Sequence, residues 1–281
     1  MKRIEIDFSN IGSVLDGLSQ IYNISSNDIM KLSQEIPDVD ELLLVLFEKY
    51  NIHPDVHKLD EVFIQCNVVG KYPDKNLLKS EGLMSLKELL KRDYSFLSRF
   101  LKNEYIFIDV TNETFSYYDK TIQIDPESNL GVKLIHDKGE IEAFYYATKT
   151  EMINYSTVSK YPEILLTIDQ FVKEYFGENT NLGDKWSHLV SDYDIISFYV
   201  NINDTTYING KLDKYEVSTY ESCCKKEPLY SNSEPQTLYN NVWLLTYGIN
   251  RIRDELHGEL SLGISNKVII PYNELDIYSQ Q

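Results

Sequence analysis

The sequence predicts a mixed α+β fold, with a helical region over residues 1–58 followed by an α+β domain over residues 59–281. Three observations carry this expectation. Apolar residues recur at spacings of three and four through most of the stretch before Pro54, as on the buried face of a helix. A β-branched run, Val62-Phe63-Ile64 and then Val68-Val69, breaks at Gly70 and at the turn signal Tyr72-Pro73-Asp74 into a short helical stretch. Tyrosine-rich segments with strand composition then follow one another at intervals of about eight residues, the spacing of hairpins or a meander.

In chain order, Ile4 to Phe8 alternates apolar and acidic residues and predicts a short strand. Ile11, Val14, Leu15, Leu18 and Ile21 predict a helix with Ser9 or Asn10 as its cap. SNDIMKLSQEI from Ser26 and DVDELLLVLFEKYNI from Asp38 predict two more, separated at Pro37-Asp38. The strand Val62 to Val69 leads into the helix DKNLLKSEG, whose Leu77 and Leu78 share a face and whose Gly82 stands where a helix end favours a left-handed residue. Ser85, with Glu88 three positions on, caps the next helix. DYSFLSRFLKNE is helical, and YIFIDV, ETFSYYD and KTIQID read as strands. VKLIHD and EIEAFYYATK predict a hairpin across Lys138-Gly139.

Pro162-Glu163 opens a helix with Ile164, Leu165, Ile168 and Phe171 on one face, since a proline at the first turn forgoes no bond and a glutamate suits the positive helix end. Gly177 to Asp192 reads as a polar loop carrying Trp186 and His188, and DIISFYVNI as a strand with Ile196, Phe198, Val200 and Ile202 inward. Asn203 to Gln236 reads as a long surface loop or lid. LYNNVWLLTYGINRIRDE is a helix with Val242, Leu245, Ile249 and Ile252 on one face, and ELSLGI and KVIIPY read as two closing strands.

Composition limits the function. The chain has 281 residues, 27 Lys plus Arg against 44 Asp plus Glu, and a net charge of −17, which repels phosphate backbones and anionic membranes. A protein partner or acceptor is therefore expected over nucleic acid, and no membrane. The densest basic cluster, Lys87, Lys91, Arg92, Arg99 and Lys102, is interleaved with Leu and Phe and reads as the solvated face of an amphipathic helix. Three cysteines, Cys66 and the adjacent Cys223-Cys224, form no spaced framework, and the first residues lack the apolar core of a secretory signal. The expectation is a cytoplasmic protein. Five histidines show no HExxH spacing, so no metal is expected, and GxGxxG, GxxxxGK[ST] and GxSxG are absent.

The phrase CNVVGKYPDKNLLKSEGLMSL, from Cys66 to Leu86, resembles the first characteristic block of ADP-ribosyltransferase-like toxins and defence proteins. There a strand with a His or Arg is followed by a polar loop and a short helix ending in x-x-G-[LI]-x-x-[LI]. Here Asn67 stands at the His or Arg position, and its amide can hydrogen-bond a ribose hydroxyl or a carboxamide. Tyr155-Ser156 with Pro162-Glu163 is similar to the family's Y-S-x-[VL]…P-E-x-L block, and His257-Gly258-Glu259 to its third, acidic motif.

The resemblance implies split, mostly antiparallel β-sheets around a cleft, with NAD as substrate. It implies that Asn67 holds the ribose, Tyr155 stacks on the nicotinamide, Ser156 orients its amide, and Glu259 stabilises an oxocarbenium-like transition state. Glu216 and Glu221 are the competing carboxylates, and Glu259 precedes them because it opens a strand late in the chain, the order the family has. The function so implied is transfer of ADP-ribose from NAD to a macromolecular acceptor by a toxin or defence effector. The alternative is a catalytically inactive acidic protein that binds and blocks or senses a partner.

Overall fold

The structure is a computed structural model and describes residues 3–53, 59–70, 75–136, 140–155, 160–190, 193–208 and 235–280. It is a mixed α and β protein with antiparallel sheets. The larger sheet has seven strands in the order β10-β7-β2-β6-β9-β8, with β1 (Ile4–Ile6) added beside β2 (Val62–Gly70). Its other strands are β6 (Ile141–Tyr146), β7 (Tyr193–Asn201), β8 (Thr205–Ile208), β9 (Leu260–Ile264) and β10 (Asp276–Gln280). The β1–β2 pair is parallel, with Ile4 opposite Val62, while β10 runs antiparallel to β7, with Asp276 opposite Ser197. A separate antiparallel sheet is made of β3 (Ile106–Asp109), β4 (Thr114–Tyr117) and β5 (Lys120–Gln123).

The chain forms two compact units. The first joins 1–66, 144–147 and 199–262. Its helices are α1 (Ile11–Tyr22), α2 (Ser26–Glu35) and α3 (Val39–Tyr50), each begun by a side chain that accepts a first-turn amide: Asn10, Ser25 and Asp38. They are tied to residues far along the chain. The Tyr22 hydroxyl donates to Asn241 at 2.8 Å, Arg251 donates to the Phe8 and Ser9 carbonyls, and Arg253 to those of Ser33, Ile36 and Pro37. Phe8, Tyr145, Trp243 and Tyr247 pack ring against ring in the same unit.

The second unit joins 67–143, 148–198 and 263–281. Its helices are α4 (Lys75–Glu81), α5 (Leu86–Leu90), α6 (Phe96–Asn103), the single turn α7 (Asn129–Gly131), α8 (Lys149–Asn154), α9 (Ile164–Phe176) and α10 (Leu182–Leu189). Its core joins Leu97, Phe100, Ile108, Phe115, Ile168, Phe171 and Trp186 with their neighbours. The C-terminal helix of the first unit, α11, spans Pro235–Ile252.

Four expectations are corrected. Val132 to His136 is one wide helical turn following α7, so it is not the first strand of a hairpin: Leu130 and Leu134, four apart, both enter the core, and Ser128 caps the turn. The polar loop expected over 177–192 contains α10, because Trp186 at 2% exposure anchors it against Phe96 and Phe100 at 5.1 and 5.0 Å. The expected loop or lid over 203–236 begins with the end of a 3-10 turn and β8 and closes on the start of a helix at Pro235, while 209–234 lies outside the described residues. KVIIPY contributes one bridge, Ile270 to Leu83, instead of a strand, and the closing strand is β10. The helix α8, capped by a reciprocal Thr148–Glu151 pair, is an element that apolar periodicity did not reveal.

Candidate functional site

The stretch that resembles the transferase block folds as strand, helix and glycine stop. Along β2, Val62, Ile64, Cys66 and Val68 are buried while Phe63, Gln65, Asn67 and Val69 are half-buried, the alternation of a strand with one fully covered face. Asn67 thus projects from the less covered face. Its side-chain oxygen accepts the hydroxyl proton of Ser197, a buried residue of β7. That bond fixes the amide's orientation and leaves its two N–H groups without a hydrogen-bond partner among the described residues.

Downstream, Lys75 at the start of α4 reaches the buried Asp194 of β7 at 3.3 Å. Gly82 closes the block with φ +81°, and a Cβ there would lie 2.2 Å from the Ile270 carbonyl oxygen. This position therefore requires glycine twice over, for its left-handed backbone and for the bridge that Leu83 makes to Ile270 at 2.8 and 2.9 Å. Beside it Glu81 accepts from Tyr94 and from Arg92, each at 2.5 Å, and the hydrogen bond from Tyr94, then that from Arg92, holds the carboxyl below its usual range.

The other expected residues are placed as follows. Tyr155 ends α8 with extended backbone and is 38% exposed. Ser156 lies outside the described residues, as do Glu216, Glu221, Cys223 and Cys224. Glu259 is exposed, directly precedes β9 and follows Gly258 at φ +75°, with no hydrogen bond or ion pair among the described residues. Asn67 and Tyr155 belong to the second unit and Glu259 to the first. Ser197 and Asp194 are the residues that sequence reasoning missed. Ser197 stands 130 positions from Asn67, and only strand pairing brings them together.

The basic cluster is largely neutralised within the fold. Lys91 pairs with Glu88 at 2.6 Å, Arg92 with Glu81 and Glu88, and Lys102 with Asp93 at 2.9 Å. Among the described residues no group of three or more His, Cys, Asp or Glu is placed to hold a metal ion. No described helix is long and apolar enough to cross a membrane. No family model, curated protein or solved structure matches the chain.

Proposed function

We propose that this protein cleaves NAD and transfers ADP-ribose to a macromolecular acceptor, in the manner of a toxin or defence effector. The observation that carries the reading is the oriented Asn67 amide, two N–H donors held by Ser197 on the less covered face of a strand that leads to α4 and the obligatory Gly82. Such donors suit a ribose hydroxyl or the carboxamide oxygen of nicotinamide. The split-sheet cleft, Tyr155 as stacking ring, Ser156 as amide guide and Glu259 as carboxylate belong to the same proposal.

In this reading the N-glycosidic bond breaks with its electron pair leaving on nicotinamide. Positive charge develops at the ribose carbon, where the Glu259 carboxylate opposes it. An acceptor nucleophile then bonds to that carbon and gives up its proton. Little covalent help is required, so positioning and electrostatics supply the rate. A protein acceptor accords with the net charge of −17 better than a nucleic acid does.

The test is NAD titration by calorimetry followed by measurement of free nicotinamide in the same sample. Binding with release is expected. Asn67→Ala should weaken binding roughly fivefold, the worth of one hydrogen bond of about 1 kcal/mol. Glu259→Gln should leave binding intact and slow release by about a hundredfold or more. Absence of binding at millimolar NAD overturns the reading, and unchanged release in Glu259→Gln removes Glu259 from it. The second reading, an inactive acidic interaction protein, is favoured by one observation, the Asn at the position where the family block has His or Arg. Its signature is absence of NAD binding together with stable capture of a partner.

A further inference from the structure

A different surface of the second unit carries an inference that does not depend on NAD. Tyr105, which immediately precedes β3, and Tyr118, which follows β4, stack at 4.6 Å with their planes 13° apart, yet each is 61% exposed. Both have left-handed backbones, φ 60° and 53°, and the Tyr118 amide donates to the Tyr105 carbonyl at 2.9 Å. An aromatic residue in that region is strained by about 1 kcal/mol or more, and here the strain is met without burial of the ring. Among the described residues Tyr117 backs the pair, meeting Tyr118 edge-on at 4.7 Å and itself packed on Phe176 at 5.4 Å.

Carboxylates adjoin this pair along the chain or act on the ring behind it. Glu104 directly precedes Tyr105, Asp119 directly follows Tyr118, and the charges of Glu178 and Glu104 both bear on Tyr117. Of these Glu104 is paired, with Lys185. The same sheet already places a cation on a ring internally: Lys102 Nζ lies 5.7 Å from the centre of Phe107, which is 45% exposed. Aromatic faces attract cations, most strongly the planar guanidinium, which stacks on the ring while its edge donates to flanking carboxylates.

We propose that the Tyr105–Tyr118 pair is a docking ledge for an arginine side chain presented by a partner protein. Asp119 and Glu178 receive the guanidinium edge, and the net charge of −17 draws a basic segment toward the molecule as a whole. The rings are already stacked on each other, so less ordering is needed when the partner arrives.

The probe is the peptide Gly-Arg-Gly-Arg-Gly, amidated and acetylated, titrated into the full chain while tyrosine ring signals are followed by NMR. Expected are shifts concentrated on Tyr105 and Tyr118, weakening with added salt, and an affinity about tenfold lower for the citrulline peptide, which keeps the shape and loses the charge. The double variant Tyr105→Leu/Tyr118→Leu, confirmed as folded by an unchanged unfolding midpoint, should lose about tenfold in affinity. Should that variant unfold, Glu178→Gln in the intact ledge should weaken binding about threefold. Shifts spread over the acidic surface, equal binding of the citrulline peptide or of Gly-Lys-Gly-Lys-Gly, or unaltered affinity in the variants would each overturn the proposal.

Discussion

At the scale of single residues, the most demanding position is Gly82. A β-carbon there would meet the Ile270 carbonyl at 2.2 Å while the backbone holds φ +81°, so relief of one problem does not relieve the other. Gly82→Ala should therefore destabilise by at least about 2 kcal/mol, seen as a lower urea midpoint with an unchanged slope. Gly177 gives the matched control. It ends α9 with φ +74° but has open space around it, so Gly177→Ala carries the backbone cost alone and should be the milder change. The sequence announced Gly82 as a helix stop through its place after DKNLLKSE; it could not announce Ile270, because the bridge joins residues far apart in the chain. Asn67 was legible in the same partial way. Its place on the strand follows from the β-branched run on either side of it, whereas Ser197, which gives the amide its direction, is reached through strand pairing that no local pattern encodes.

At the scale of elements, legibility followed amphipathic contrast. Helices α1, α2 and α3 form where the spacing of three and four predicts, and strand β2 where its β-branched run predicts. The stretch from Val132 to His136 was misread because a short apolar run has no period of its own; what decides it is the four-residue spacing of Leu130 and Leu134 into a core shared with Phe171. Helix α10 was misread because its polar residues outnumber its apolar ones, and a single indole supplies most of its hold. Trp186 meets both Phe96 and Phe100 edge-on and is almost wholly buried. Trp186→Ala should consequently cost about 3–5 kcal/mol, in the range of large aromatic truncations. If α10 is held mainly by this contact, the loss should be accompanied by faster amide hydrogen exchange over Leu182–Leu189 than over α9.

At the scale of the whole molecule, ionisable groups set two limits on stability, and their signs differ. Glu81 is held below its ordinary 4.5 chiefly by the Tyr94 hydrogen bond, Glu88 chiefly by the Lys91 hydrogen bond, and Asp109 below 3.8 by the Asn112 backbone. Because the folded values are depressed, this stability is complete above the ordinary values and is lost as pH falls through the lower, folded ones. Protonation also relieves the repulsion of a −17 chain, so the acid decline should begin late, below about pH 4.5, where the depressed groups titrate. On the alkaline side the order is reversed. Burial raises the Cys66 thiol above its ordinary 9.0 and the Tyr22 and Tyr145 hydroxyls above 10.0. Their protonated forms fit the fold at any pH below those values, and stability is lost as pH climbs toward the raised ones, since the unfolded chain can ionise and the folded chain resists. The unfolding midpoint should therefore be flat between about pH 5 and 9 and fall on both sides. Cys66→Ala tests the alkaline limb: a thiol that no longer exists cannot ionise, so the variant, though less stable at neutral pH, should lose less stability than the parent between pH 8.5 and 10. Equal losses in the two proteins would remove Cys66 from that limb.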